Sequence, residues 1–343
     1  MENGRIGGVR NVTILLKQKP TLNHVHHPLR VMAEPNQLLE KTSRTFALCI
    51  PLLPKPSRRE VTLAYLLFRI ADTFEDAAVW SRERRISALN KFGNLLETGS
   101  IPDAERMANE WLEYAPTKHL GYRQLLAESP AVLDDLSRVR TEARDIISHH
   151  VRRTAIQMAA FVARADDSGT LVLRDLPGLR DYCYAVAGIV GEMLTELFIL
   201  QCPALVKVQK DLMKWAPAFG EGLQLTNILK DAEADRAEGR CFLPEAVETD
   251  DIFAVARMDL DAAADYTLTL QRNGASSGVV AFNALPLRLA RATLHRVQAK
   301  GPGAKLSRPE VFKILSEVKK AVRLHRPVCA SEKRLESTHV PIA

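Results

Sequence analysis

Between residues 57 and 79, polar side chains return at a helical period inside an otherwise apolar stretch, and this pattern constrains the fold more than any other feature of the chain. Tyr65, Arg69, Asp72 and Asp76 fall at i, i+4, i+7 and i+11, which places them on one face over three turns of an α-helix. Leu63, Leu66, Leu67, Ile70 and Phe74 take up much of the remaining surface. A surface helix shows one broad polar face and one apolar stripe, whereas here a narrow polar seam runs along an apolar cylinder. Carboxylates on such a seam must be paired, hydrated or bound to cations, because an isolated buried charge is costly even after relaxation. Taken alone, an intrahelical ion pair between Arg69 and Asp72 or Asp76 would satisfy that requirement.

A second seam of the same length shifts the balance toward cation binding. Gln224, Asn227, Asp231 and Asp235 stand at i, i+3, i+7 and i+11 of another helical stretch. Carboxylates four residues apart are separated by about 6 Å along a helix axis and lie on nearly the same side, so they can hold a hard cation on oxygen ligands. Magnesium keeps several waters and is usually shared between carboxylates and substrate phosphates. Two facing seams therefore predict a site where metals bridge protein to diphosphate. Arg44, Arg69, Lys230 and Arg240 are available for the remaining phosphate oxygens, although an ordinary surface role suits each of them except Arg69 equally well. A third stretch, from Tyr182 to Thr195, carries Gly188 and Gly191 within a helical pattern. Glycine there costs about 1 kcal/mol relative to alanine, so it marks either close helix packing or a widened apolar cavity.

The rest of the chain agrees with an all-α class. Aromatic residues make up only 6% of the 343 positions, and the middle of the chain lacks the alternation and Asn-Gly turns of sheets. Beyond the first helix, segments are expected after Ser81 and Pro102, over 131–165, 179–200, 205–233, 250–272, 279–297 and 308–322. No repeat or long linker divides them, so one helical domain over 37–325 is expected, with a basic leader over 1–36 and a tail over 326–343. His24, His26 and His27 in the leader have no partners that complete a metal site.

Five scattered cysteines form neither a CxxC pair nor a disulfide framework, which points to a reducing, cytoplasmic compartment. Arg69, Asp72, Glu192 and Glu196 interrupt the best apolar runs short of the roughly 20 residues that span a bilayer, so the chain is not expected to be integral. Basic residues outnumber acidic ones toward the C-terminus, which suits peripheral attachment to anionic membrane. They are not interleaved with stacking aromatics, so no nucleic-acid partner is expected.

Taken in order, Ser43-Arg44-Thr45-Phe46, Asp72-Thr-Phe-Glu75-Asp76, Tyr182-Cys183 with Val186-Ala187-Gly188-Ile-Val-Gly191, Gln224-Leu-Thr-Asn227-Ile-Leu-Lys-Asp231 and Gly239-Arg240-Cys-Phe-Leu-Pro244 resemble the squalene/phytoene synthase family over about residues 40–290. The resemblance implies a single-domain isoprenoid synthase fold, a helical bundle around a central cavity with metal-bound diphosphates at its mouth. It implies Mg²⁺ on Asp72, Asp76, Asp231 and Asp235, diphosphate on Arg44, Arg69 and Arg240, and Tyr65, Gln224 and Asn227 at the polar end of the cavity. Tyr182 would take the place of the tyrosine linked to proton transfer.

The Asp-Thr-x-Glu-Asp form of the first motif is similar to the squalene branch rather than to phytoene synthases. Ala77 replaces a further acidic residue of eukaryotic squalene synthases, Tyr184 stands where their Tyr-Cys-His-Tyr motif has histidine, and no counterpart of their C-terminal anchor is expected, departures that favour a bacterial member of the branch. The implied reaction joins two farnesyl diphosphates through presqualene diphosphate to squalene, with NADPH as reductant. Since no GxGxxG follows a strand, NADPH is expected in the helical cavity near the second seam. Phytoene or dehydrosqualene formation without reduction is the nearest alternative. A non-catalytic assembly factor would be expected to have lost the aspartates, and a membrane-surface protein would not need the paired seams.

Overall fold

The computed structural model describes residues 34–166 and 170–329, and these are helical almost throughout. In order they form α1 (Pro35–Thr42), α2 (Phe46–Cys49), α3 (Ser57–Glu75), α4 (Arg82–Thr98), α5 (Ile101–Glu113), α6 (Leu120–Ala127), α7 (Ser129–Ser137), α8 (Thr141–Ala163), α9 (Leu176–Cys183), α10 (Ile189–Gln201), α11 (Gln209–Ala237), α12 (Thr249–Arg272), α13 (Ser277–Lys300) and α14 (Arg308–Arg323). Short 3₁₀ turns at Ile50–Leu52 and Pro203–Val208 link neighbours, and a π turn, Tyr184–Gly188, joins α9 to α10. Most of the leader, with its histidine cluster, and the tail beyond Cys329 lie outside the described residues.

The apolar cylinder expected for α3 is buried as its pattern requires. Leu63, Leu66, Leu67, Ile70 and Phe74 are fully enclosed, and α3 packs against α8, α4 and α1. The end of α3 is fixed by an aromatic cluster in which Phe74 lies 4.6 Å from Trp111, while the Trp80 indole donates to the Tyr114 carbonyl at 2.6 Å. That clamp sets the position of Asp76, the residue capping the helix. On the other side of the domain, α11 packs against α12, α10, α13 and the π turn. The bundle thus brings two seam-bearing helices into one core.

The helix expected over 131–165 is instead two, α7 and α8, broken at Arg140. This residue adopts an extended conformation (ψ 142°) and aims its guanidinium at Glu60 of α3 with bonds of 2.7 and 3.1 Å. Glu60 is 1% exposed, so its charge requires a partner, and the break in helix supplies one. The segment spanning Leu176–Gln201 also departs from expectation. Despite Glu192 and Glu196, an 18-residue window within its 26 residues reaches a mean hydropathy of 1.7, long and apolar enough to cross a bilayer by composition. Half of that window is buried against the rest of the bundle, as in a core helix.

Of the two glycines singled out, Gly188 packs closely against the Tyr184 ring and lies outside the apolar cavity, while Gly191 does both, packing closely and lining the cavity, and Gly220 of α11 does the same. A Cβ on Gly191 would lie 1.9 Å from the Ala216 carbonyl oxygen, and one on Gly220 would lie 2.0 Å from that of Ala187, so α10 and α11 cross backbone to backbone. The same two glycines line the apolar cavity. Because backbone atoms cannot retreat as a side-chain tip can, Gly191→Ala is expected to destabilise the domain by about 2 kcal/mol or more. Urea unfolding followed by circular dichroism measures this, and a loss under about 0.5 kcal/mol would contradict the crossing.

Candidate active site

Two connected hollows lie between α3 and α11. One is a polar mouth of about 390 Å³ lined by residues of both seams with Tyr182 and Phe242. The other is an apolar cavity of about 230 Å³ walled by Phe46, Val61, Phe68, Met193, Phe219 and Phe282, among others. Arg69, Asp72, Val186, Gln224 and Asn227 line both and form the neck between them.

The first seam is held together by local bonds that follow from its period. Tyr65 Oη donates to the Thr42 carbonyl at 2.8 Å and accepts from Arg69 Nε at 3.3 Å. Arg69 pairs with Asp72 at 3.2 Å, and its guanidinium sits 5.5 Å from the ring centroids of both Tyr65 and Tyr122. Burial works against the charge on Arg69, but Asp72 and the two tyrosines more than offset it and hold the pKa above the ordinary value.

The second seam is arranged in parallel fashion. Lys230 donates to Asn227 Oδ1 at 3.1 Å and pairs with Asp231 at 3.1 Å. Arg240 reaches both seams, at 2.8 Å from Asp235 and 3.5 Å from Asp76. Its position is set by the loop after α11. The Arg240 N–H donates to the Asp235 carbonyl at 2.8 Å, and an isolated parallel bridge pairs Cys241 with Val172.

Of the residues expected at the site, Tyr65, Arg69, Asp72, Gln224 and Asn227 line the cavity, while Asp76, Tyr182, Asp231, Asp235 and Arg240 line the mouth. Arg44 is exposed and lines neither hollow. The family motifs include Glu75 and Phe242, but neither is among the residues expected at the site, and Tyr122 is not singled out at all. Glu75, three residues after Asp72 and so on the same side of α3, is buried in the mouth beside Tyr182. Phe242 stacks on Tyr182 at 4.8 Å. The helical spacing could have identified Glu75, whereas nothing local announces Phe242 or Tyr122.

Burial raises the Asp72 pKa to about 6, with Arg69 opposing and Asp76 reinforcing the shift. Glu75 is pushed well above its ordinary value by burial and then by Asp76 and Asp72. Asp76 moves the same way through burial, against the pull of Arg240. Tyr182 is likewise raised by burial and by Glu75, so it remains a neutral phenol. The arrangement is one of crowded carboxylates with too little counter-charge. All the acidic donors are hard oxygens, with neither cysteine nor histidine lining the mouth. Among the described residues no three metal-ligating side chains are gathered into a cage. These residues fit a magnesium ion whose coordination is completed by phosphate and water.

The sequence profile of the squalene/phytoene synthases matches residues 39–250, and the chain belongs to that family. The squalene synthase of Eremothecium gossypii is 30% identical over 216 residues, 62% of this chain and 45% of that protein. That of Schizosaccharomyces pombe is 29% identical over 214 residues, 62% of this chain and 44% of that one. The match thus spans under half the length of these curated relatives. Among solved structures, TcSQS with the ligand E5700 superposes with a TM-score of 0.69 at 24% identity, over 85% of this chain and 89% of that one. TcSQS with BPH1237 gives 0.65 at 24% identity, over 90% and 92%. The fold is the all-α isoprenoid synthase fold.

A raised carboxylate pKa fixes the direction of pH dependence. The stability that Asp72 contributes is fully present below its unfolded value of 3.8 and is lost as pH rises through about 6. Without divalent cations, the thermal midpoint should fall between pH 5 and 7.5, and Asp72→Asn should remove part of that fall. An identical slope in the variant would contradict the assignment.

Proposed function

We propose that this chain joins two molecules of farnesyl diphosphate head to head, through presqualene diphosphate, to give squalene. The observation that carries this reading is the pair of acidic seams on α3 and α11 at the neck of an apolar cavity. Hydrocarbon chains fit the cavity, and diphosphates fit a mouth whose carboxylates call for cations. Asp72, Asp76, Asp231 and Asp235 would hold magnesium. Bound there, it supplies charge neutralisation for a departing diphosphate.

The chain's own groups divide the remaining work. Arg69, Lys230 and Arg240 present donors to phosphate oxygens that no carboxylate can serve, and Arg44 joins them only if it moves from its exposed position. Loss of diphosphate from one substrate leaves an allylic cation beside the double bond of the second. Attack by that bond followed by loss of a proton closes a cyclopropane. The apolar wall excludes water that would quench the cation. Tyr182 with its raised pKa is poorly suited to take this proton as a phenolate. It hydrogen-bonds to Glu75, and the pair can pass a proton out of the cavity toward the leaving group.

NADPH would supply a hydride for the second half of the reaction. No strand and glycine-rich turn cradles a dinucleotide among the described residues. A hollow of about 370 Å³ beside the mouth carries Arg82, Arg85 and Arg240 but also Glu75, Asp76, Glu83, Asp166 and Glu238, so its lining has no excess of positive charge to receive a dinucleotide phosphate. The squalene-type first motif favours the reductive outcome.

Five unpaired cysteines support a reducing cytoplasmic setting. The exposed side of α14, with Phe312 at 58% exposure among Arg308, Lys313, Lys319 and Lys320, supports peripheral contact with anionic membrane.

With farnesyl diphosphate, Mg²⁺ and NADPH the chain should form squalene, and without NADPH it should stop at presqualene diphosphate or unreduced products. Asp76→Asn and Asp231→Asn should abolish both outcomes while keeping the helical circular dichroism spectrum. Dehydrosqualene formed at one rate with or without NADPH, or turnover of geranylgeranyl diphosphate alone, would move the chain to the carotenoid branch. Cosedimentation with anionic liposomes at low salt should weaken on Lys319→Glu with Lys320→Glu, since each basic residue near such a surface contributes about 1 kcal/mol. Unchanged sedimentation would contradict the membrane contact.

A further inference from the structure

Tyr184 stands where the Tyr-Cys-His-Tyr pattern has histidine, with Ala185 in place of its second tyrosine, and the chemistry above makes no use of Tyr184. It opens the π turn, in which the Ile189 N–H donates to the Tyr184 carbonyl five residues back. Such turns are rare and occur mainly as single insertions within α-helices, often at functional sites. One extra residue corresponds to about 100° of helix rotation, so the turn re-aims α9, which carries Tyr182, relative to α10, which carries Gly191.

Contacts from α8 and α10 hold this unusual turn in place. Tyr184 Oη donates to Glu192 Oε1 at 3.0 Å and accepts from Arg153 Nη2 at 2.8 Å. Arg153 closes the triangle by donating to Glu192 Oε2 at 2.7 Å. Its Nη1 also lies 3.1 Å from His150 Nδ1, which must therefore be the acceptor, leaving Nε2–H to face Glu196 at 3.3 Å. Thr154 Oγ1 donates to the Ala185 carbonyl at 3.1 Å. The Tyr184 ring lies across Gly188, where a Cβ would come within 2.7 Å of Cδ2. A partly buried ion pair adds little net stability, so what this cluster mainly provides is a fixed geometry.

The turn carries Val186 to the neck. Of the five residues lining both hollows, Arg69, Asp72, Gln224 and Asn227 are polar and Val186 alone is apolar. In the proposed reaction it is the apolar surface that a prenyl chain spanning mouth and cavity would meet at the neck.

We propose that Tyr184, clamped by Arg153 and Glu192, is a positioning residue that fixes the π turn and hence Val186, keeping the chain formed in the first half-reaction within the cavity for the second. This rests on the squalene-forming reading. Small misplacements at a reacting centre cost up to about 100-fold in rate, and removing one hydroxyl from the clamp should cost part of that.

In Tyr184→Phe, kcat for squalene should fall about tenfold with KM within about twofold, and a larger share of turnovers should leave as presqualene diphosphate. Amide exchange over residues 185–189 should quicken about tenfold while α3 and α11 keep their protection. Glu192→Gln, which retains an acceptor for the tyrosine hydroxyl, should stay within about threefold of the parent chain in both readouts. An unchanged product share in Tyr184→Phe, even with a lower thermal midpoint, would reduce the clamp to a structural contact and overturn the proposal, as would unchanged exchange. A parent chain that forms no product sinks the squalene reading instead, and the exchange rates then still decide whether the clamp holds the turn.

Discussion

The structure depends on how carboxylates removed from water are balanced. Asp72, Glu75 and Asp76 crowd one end of α3, where burial and neighbouring carboxylates raise the pKa values of Asp72 and Glu75, and that of Asp76 rises too although its side chain is still 55% exposed. Arg69 offsets part of this from within the same helix, and Arg240 does so from the loop after α11. Because Arg240 also pairs with Asp235, it ties the two seams together. The balance is left incomplete, which suits a site whose missing positive charge arrives together with its substrate.

The apolar half of the site has a different origin. Gly191 and Gly220 let α10 and α11 meet backbone to backbone, while the π turn offsets the helix before that crossing from the helix after it. Pro286 in α13 leaves the Phe282 carbonyl without its usual helical donor at the cavity wall. Together these features show a bundle whose regular helical geometry is relaxed around the space that hydrocarbon chains would fill.

Much of this was legible in the sequence because both seams obey a helical period. Tyr65, Arg69 and Asp72 share a face by spacing alone, and so do Gln224, Asn227 and Asp231. The break at Arg140 was not legible, since it answers to Glu60, 80 residues earlier. The π turn was invisible for another reason: a run as apolar as 185–190 keeps a hydrophobic face in either register. Tyr122 and Phe242 reach the site through tertiary packing and carry no local signal. Arg44 came from the family motif, and the geometry leaves it outside both hollows.

The central claim is that cations are shared between the seams and a diphosphate rather than caged by protein. Electron paramagnetic resonance of Mn²⁺ mixed with the chain tests it directly, with and without a non-hydrolysable farnesyl thiodiphosphate. Weak binding of Mn²⁺ alone, tight binding once the diphosphate is added, and loss of that gain in Asp235→Asn are the predicted results. Tight Mn²⁺ binding without any diphosphate, or binding that Asp235→Asn leaves untouched, would contradict the account.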